Sequence, residues 1–330
     1  MKIFVTWGAG FIGRHLVRSL LRSNHAVSIF ENFTNSNLNE IQDIVNDGAI
    51  IIKGDLNNFK LLKKSLRNID VVIHLAAKID ILESIKHPHL SHEINVVGSM
   101  NLLKASVEAG VSGFIGASSA AIYGDPKTLP VKENTMPNPV SPYGAEKLAM
   151  EHYITAFSNV YNLNSICLRF FNVYGANQSN AYAGVITKFM NNIANNKQLE
   201  IFGDGKNTRD YVYIDDLIQG IEKSLKKLKG KRGNTYNIGG GHSYSVNQLA
   251  KIILEVYGKD LKIIHKSPRK GDLRFSQASI SLAKKELNYL PKFSLKKGLT
   301  KMLRENKIQP KDLWNMIIFR TNNQSYNFWR

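Results

Sequence analysis

The chain has 330 residues, 43% of them apolar, with one cysteine and a formal net charge of +18, so it can bury one large or two modest cores. No run approaches the roughly 18 consecutive apolar residues of a membrane span, and the apolar start over 2–12 is broken by glycines with no small-residue cleavage site behind it. These features read as a cytoplasmic protein with no membrane partner, and the lone Cys167, set in an apolar run, reads as a buried hydrophobe rather than part of a disulfide framework or thiolate metal site.

In chain order, residues 2–6 form a β-rich run ending in glycines. Residues 11–23 then switch to helical spacing, with Ile12, Leu16, Leu20 and Leu21 on one face. Buried strands follow at 26–30, 49–53, 71–74, 113–118 and 165–169, with helical stretches near 39–46, 57–68, 89–109 and 142–160 between them. Such alternation implies right-handed βαβ units and a parallel sheet covered on both faces. Residues 1–170 therefore read as an α/β, doubly wound, Rossmann-type domain.

After Arg169 the pattern loosens into Asn-, Gly- and Tyr-rich loops, broken by helices near 184–195, 213–228, 245–257 and 295–305. This predicts a smaller α+β substrate lobe over 171–305, packed on the first domain with some chain crossover, since no repeat or low-complexity linker separates them. Residues 306–330, with Trp314, Phe319, Tyr326, Phe328 and Trp329, show no helical period and read either as a docking tail or as a disordered one. Charge is uneven: residues 1–180 carry 16 basic and 14 acidic side chains, and 181–330 carry 28 and 12. A basic half attracts polyanions, but the lysines of 223–232 lie at a helix end without interleaved aromatics, so a solvated surface is expected and no nucleic-acid partner. The nine histidines are scattered, and His87 and His89 flank a proline with no other ligand near, so no metal site is expected.

Two motifs carry chemistry. Thr6-Trp7-Gly8-Ala9-Gly10-Phe11-Ile12-Gly13 joins the first strand to the first helix, the context in which a glycine turn binds a dinucleotide. Gly10 lets the backbone approach the phosphates, Gly13 lets helix pack on sheet, and the exposed amides hold the anion. Glu31-Asn32 ends the second strand about 20 residues further on, where an acid accepts bonds from the adenosine ribose; a 2′-phosphate would be repelled there, so NAD is expected over NADP. Farther along, Ala117-Ser118-Ser119-Ala120-Ala121-Ile122-Tyr123-Gly124 precedes Ser141-Pro142-Tyr143-Gly144-Ala145-Glu146-Lys147. Tyr143 and Lys147 share a helix face, where the ammonium is expected to pull the phenol below its ordinary value of about 10 and make it a usable base.

With these motifs the sequence resembles the extended short-chain dehydrogenase/reductase family, in its NAD-dependent epimerase/dehydratase branch, with UDP-glucose 4-epimerases the nearest members. The resemblance covers about 1–305. It implies that Ser119 orients the substrate, that Tyr143 is the acid/base, and that Lys147 assists it and binds the nicotinamide ribose. It assigns the cofactor to Gly8, Gly10, Phe11, Ile12, Gly13, Glu31 and Asn32, the adenine to Asp55 and Leu56, and the cofactor-lining wall to Leu75, Ala76 and Ala77. Asn95 is to support the active-site backbone, and Phe171 and Asn172 are to meet nicotinamide and substrate. Arg209 and Arg269 match positions that grip the nucleotide diphosphate, a task suited to guanidinium forks, and the neighbouring Asp272 is assigned to the substrate.

The family's dehydratases carry an acid where this chain has Ala120 or Ala121, so the resemblance implies epimerisation at carbon 4 of a UDP-hexose through a 4-keto sugar. Ser276 falls where bulk limits room around carbon 2, which implies tolerance of UDP-N-acetylglucosamine beside UDP-glucose. A homodimer is implied as well. The family's first turn has glycine where this chain has Trp7, so lowered NAD affinity is expected, and an altered gene and an adapted site both stay open. So do a dehydratase, a reductase, a uronate epimerase, and a catalytically impaired nucleotide-binding relative.

Overall fold

The computed structural model describes residues 1–178, 184–268 and 273–305. In chain order its strands are β1 (Lys2–Thr6), β2 (Ala26–Glu31), β3 (Ile50–Lys53), β4 (Val71–His74), β5 (Gly113–Ser119), β6 (Asn164–Phe170), β7 (Asn172–Tyr174), β8 (Leu199–Phe202), β9 (Thr208–Tyr213), β10 (Arg232–Ile238), β11 (Ser243–Ser245) and β12 (Ile263–Lys266). Seven of them form one sheet ordered β10-β6-β5-β4-β1-β2-β3, and every neighbouring pair in it is parallel. The doubly wound Rossmann-type fold expected from the alternation is thus the fold of the protein.

The inner strands are largely apolar because both faces of the sheet are covered there. Successive side chains alternate between faces: Phe4, Phe30, Val72, Phe114 and Cys167 meet Leu102, Leu103, Met150 and Ile154 on one side, while Ile3, Val5, Ile29, Ile73, Ile115 and Ile166 meet Leu16, Val17 and Leu20 on the other. Each fully buried aliphatic or phenyl side chain contributes about 1.5–3 kcal/mol. Cys167 is fully buried, and burial pushes its thiol well above the usual range.

Chain order places β2 and β3 on one side of β1, then returns to place β4 on the other. The crevice at such a reversal, beyond the carboxyl ends of the strands, is where open α/β sheets bind ligands. Here it opens at Thr6 and His74, which are paired in register.

Two local differences from the sequence reading have clear causes. Strand β10 was not foreseen, because only its last three residues are buried and its first four, Arg232-Gly233-Asn234-Thr235, are too polar to read as core; it carries the chain back from the second half into the large sheet beside β6. The single helix expected over 89–109 is instead Pro88–His92, a π-helical segment Glu93–Val97, and Gly98–Glu108. The wider turn carries Asn95, which is buried and bonded across to Glu146 on the helix Pro142–Tyr161; π-turns of this kind gather at functional sites.

The remaining strands form a small mixed sheet, β11-β9-β7, and a parallel pair, β12-β8. They are flanked by the helices Val185–Ala194, Ile214–Lys226, Val246–Tyr257 and Leu295–Glu305. This is the α+β lobe. No helix among the described residues is long and apolar enough to cross a membrane, and no described group of three or more His, Cys, Asp or Glu is placed to hold a metal ion.

Candidate active site

The first turn closes with Trp7 N donating to Phe30 O (2.9 Å) and Gly10 N donating to Trp7 O (3.1 Å). A Cβ on Gly13 would stand 2.2 Å from Trp7 O, so only glycine lets helix Phe11–Arg22 pack this closely. Gly8 faces Ile29 and serves packing, whereas a Cβ on Gly10 would meet only Trp7 O at 3.3 Å, which leaves that backbone open to the crevice. The helix start has no side-chain cap and no acid in its first turn, so its amides and dipole remain available to an anion. Glu31 is buried at the end of β2, where its carboxylate accepts from Ala9 N and Phe33 N, each at 3.3 Å. Burial raises its pKa against those bonds.

The backbone of this turn is strained. Among the described residues, six of the eight non-glycine residues with positive φ are asparagines; the other two are Trp7 (+55°) and Phe33 (+60°). For a residue with a large side chain that conformation costs roughly 1–2 kcal/mol, and of the two Trp7 lines the crevice.

Two cavities adjoin the turn. One, about 350 Å³, is lined by Gly10, Phe11, Ile12, Gly13, Glu31, Leu75 and Ala77 and, at its far end, by Ser118, Ser119, Tyr143, Lys147 and Phe171. The other, about 400 Å³, is lined by Asn32, Asp55, Leu56, Ala76 and Lys78. The cofactor residues of the sequence reading among these are thus distributed over two adjoining chambers, with Asn32, Asp55, Leu56 and Ala76 in the second.

The catalytic end rests on β5 and the helix Pro142–Tyr161. Ser141 caps that helix by accepting from Gly144 N (3.2 Å), with Pro142 at its first position. Tyr143 and Lys147 then point inward from one face, 8% and 3% exposed. Ser119 Oγ accepts from Ala121 N (3.1 Å) and is hydrogen-bonded to the Tyr143 phenol.

The electrostatics differ from expectation. Burial pushes Tyr143 up to about 12, with the Ser119 bond opposing it, and Lys147 is brought down to about 8 by its own desolvation. The ammonium donates to Ala117 O at 2.8 Å rather than serving the phenol. The expected lowering of Tyr143 by Lys147 is therefore not found: four-residue spacing fixes a shared face, but removal from water dominates at full burial.

Behind this pair lies a polar layer that the motifs did not reveal. Glu146 Oε2 accepts from Ser91 Oγ (2.7 Å) and Asn95 Nδ2 (2.6 Å), and Asn95 holds Lys78 by donating to its carbonyl (3.0 Å) and accepting from its amide (2.7 Å). The support expected of Asn95 thus runs through a buried carboxylate. Thr6 Oγ1 accepts from the amides of Leu75 and Ala76 and lies 2.9 Å from His74 Nδ1. Ser99 Oγ donates to Asn95 O and lies 2.8 Å from His74 Nε2. The roles close only with His74 neutral and protonated at Nε2, and burial holds its pKa down at about 3.

In the second lobe, Arg209 is half-buried on β9, with Nη1 donating to Thr208 O (2.9 Å). Asn172 is exposed on β7, and Ser276 is half-buried near the bridge between Val131 and Ala278. None of these three lines either chamber. Arg269, Asp272 and the 306–330 tail lie outside the described residues.

A model of the NAD dependent epimerase/dehydratase family matches residues 3–239. The chain belongs to this family. A Methanocaldococcus jannaschii protein provisionally named UDP-glucose 4-epimerase is 37% identical, over 91% of this chain and 97% of its own length. The Thermotoga maritima UDP-glucose 4-epimerase structure with UDP-glucose superposes with a TM-score of 0.87 at 34% identity, over 92% of this chain and 98% of that one. The UDP-N-acetylglucosamine 4-epimerase of Methanobrevibacter ruminantium also gives 0.87, at 31% identity, over 92% and 97%.

The protein is accordingly an enzyme of the NAD-dependent epimerase/dehydratase family, and its cofactor is NAD. The polar points of the crevice fit that molecule. Open amides at Gly10 suit the pyrophosphate, and Glu31 suits the ribose. The buried Ser118 Oγ lacks a hydrogen-bond partner and lines the catalytic chamber, as a hydroxyl awaiting a polar ligand would.

Proposed function

We propose that this enzyme inverts the configuration at carbon 4 of a UDP-hexose, interconverting UDP-glucose and UDP-galactose through a 4-keto sugar. The observation that carries the proposal is the convergence of Ser119, Tyr143 and Lys147 on one wall of the crevice, with alanine at both positions after Ser119, where elimination chemistry would call for an acid. NAD, when bound, supplies the hydride acceptor and donor for carbon 4, together with a cationic ring whose charge favours the Tyr143 phenolate. Tyr143 takes the proton from the 4-hydroxyl and later returns it, with Ser119 holding the oxygen and Lys147 keeping positive charge beside the nicotinamide ribose. Burial of Tyr143 and Lys147, with Ser119 half-buried beside them, limits water's access to the proton's path.

Arg209, with Arg269, is proposed to hold the diphosphate while the flat keto sugar turns over, with Phe171 and Asn172 beside it and Asp272 as a further substrate contact. Serine at 276 leaves room at carbon 2, which favours acceptance of UDP-N-acetylglucosamine, and Ser276→Tyr is expected to reduce turnover of that substrate selectively. A homodimer is part of the proposal: Ile81, Leu82, Ile85 and Leu90 are exposed on the helices Ile81–Lys86 and Pro88–His92, and both pack on the helix that exposes Tyr153, Val160 and Tyr161. Incubating the protein and added NAD with UDP-glucose, UDP-galactose or UDP-glucuronate tests the main reading. Interconversion of the first two, lost in Tyr143→Phe, is the expected result; turnover of the uronate alone, or loss of water from the sugar, would replace it.

A further inference from the structure

The two chambers share only three lining residues, Trp7, Thr34 and Asn35. Thr34 and Asn35 belong to the exposed loop after β2, whereas the Trp7 indole is half-buried and packs against the apolar cluster that contains Phe30 and Leu56. It therefore stands on the floor of the crevice, on the line from the Gly10 turn and the catalytic residues to Asp55 and Leu56.

We propose that the Trp7 indole is a movable partition in the cofactor crevice, so that the protein holds NAD as a dissociable ligand. The inference rests on assignment of this crevice to NAD. A dinucleotide long enough to meet both Tyr143 and Asp55 must cross the floor that the indole occupies, and the side chain must swing aside before both halves can seat. Each half-molecule alone can seat within one chamber and need not cross the indole.

Apparent affinity falls by the fraction of time the competent arrangement is populated, so an indole clear of the crevice about one-tenth of the time weakens NAD about tenfold. The obstruction lies in the side chain and not in the turn. Trp7 adopts a positive φ that glycine would also adopt, its amide and carbonyl keep their bonds to Phe30 and Gly10, and Gly13 retains its close seat against Trp7 O. Removing the indole should therefore leave the rest of the cofactor machinery in place.

The test is calorimetric titration of the full-length protein, stripped of nucleotide, with NAD, AMP and nicotinamide mononucleotide, in the native chain and in Trp7→Gly and Trp7→Ala, with cooperative melting as the check on folding. The partition predicts that both variants bind NAD about tenfold or more tightly than the native chain, while AMP and the mononucleotide change less than about twofold. Equal NAD affinity in all three proteins overturns it, as does stoichiometric NAD retained by the native protein after dialysis. A gain in Trp7→Gly that Trp7→Ala does not share would place the effect in the backbone and also overturn it. Absence of NAD binding in every protein would overturn the cofactor assignment and the inference with it.

Discussion

The two ends of the crevice are built to different standards. At the catalytic end Tyr143 and Lys147 issue from a capped helix in ordinary backbone conformation, and each is bonded from behind. At the cofactor end the turn holds a tryptophan at positive φ, a second aromatic at positive φ, Phe33, follows β2, and the cavity is divided. The contrast teaches that the machinery for chemistry and the machinery for holding the cofactor are separable in this fold. Strain of order 1–3 kcal/mol is tolerated where surrounding structure over-determines the conformation, and here it has accumulated at one end only.

The largest expected effect breaks the catalytic end alone. Tyr143→Phe removes the proton acceptor, and kcat should fall by about 10³-fold with NAD affinity unchanged, as steady-state kinetics and titration can show. Next comes the frame behind that end. Arg169 is buried with Glu151, donating from Nε at 2.9 Å and from Nη2 at 2.8 Å, while Nη1 donates to Tyr123 Oη at 2.8 Å. Glu151→Ala leaves that guanidinium unpaired in the interior and should cost about 3–5 kcal/mol, read as a lowered urea midpoint.

A third prediction concerns the support between the two ends. His74 has a folded pKa of about 3 against 6.5 for the free side chain, so between those values the unfolded chain binds more protons. This group's contribution is complete above pH 6.5 and is lost as pH falls toward 3. At full burial the loss is on the order of 4 kcal/mol by pH 3, and a His74→Gln variant should show a flatter stability profile over that interval. The smallest effect is at Ser118, whose buried hydroxyl has no partner. Ser118→Ala should stabilise the cofactor-free chain by about 1 kcal/mol and weaken NAD by a few-fold.

The same contrast governs what could be read from the sequence. Strands β1, β2, β4, β5 and β6 were legible because burial on both faces makes them largely apolar runs, the edge strand β3 because it is three isoleucines in a row although none is buried, and Ser119, Tyr143 and Lys147 because their spacing encodes a strand end and a helix face. Strand β10 was not, since its first half is polar and its place beside β6 depends on contacts some 65 residues away in sequence. Glu146 carried no signal, because a carboxylate next to a catalytic lysine is ordinary on a helix until a π-turn from another element brings Asn95 against it. The unusual residue at 7 was visible in the motif, but its division of the crevice was not, because a single letter does not say which way an indole turns. The direction of the Tyr143 shift was misread for a related reason: pattern shows which groups are neighbours, whereas burial decides which form they keep.

The most direct test of the central claim follows an isotopic label at the reacting carbon. UDP-glucose carrying deuterium at carbon 4 should be converted, in the presence of NAD, to UDP-galactose that retains the deuterium at that carbon, with none released to water, because the hydride leaves and returns within one closed crevice. Galactose product with the label washed out, or no galactose product from native protein saturated with NAD, would contradict the account.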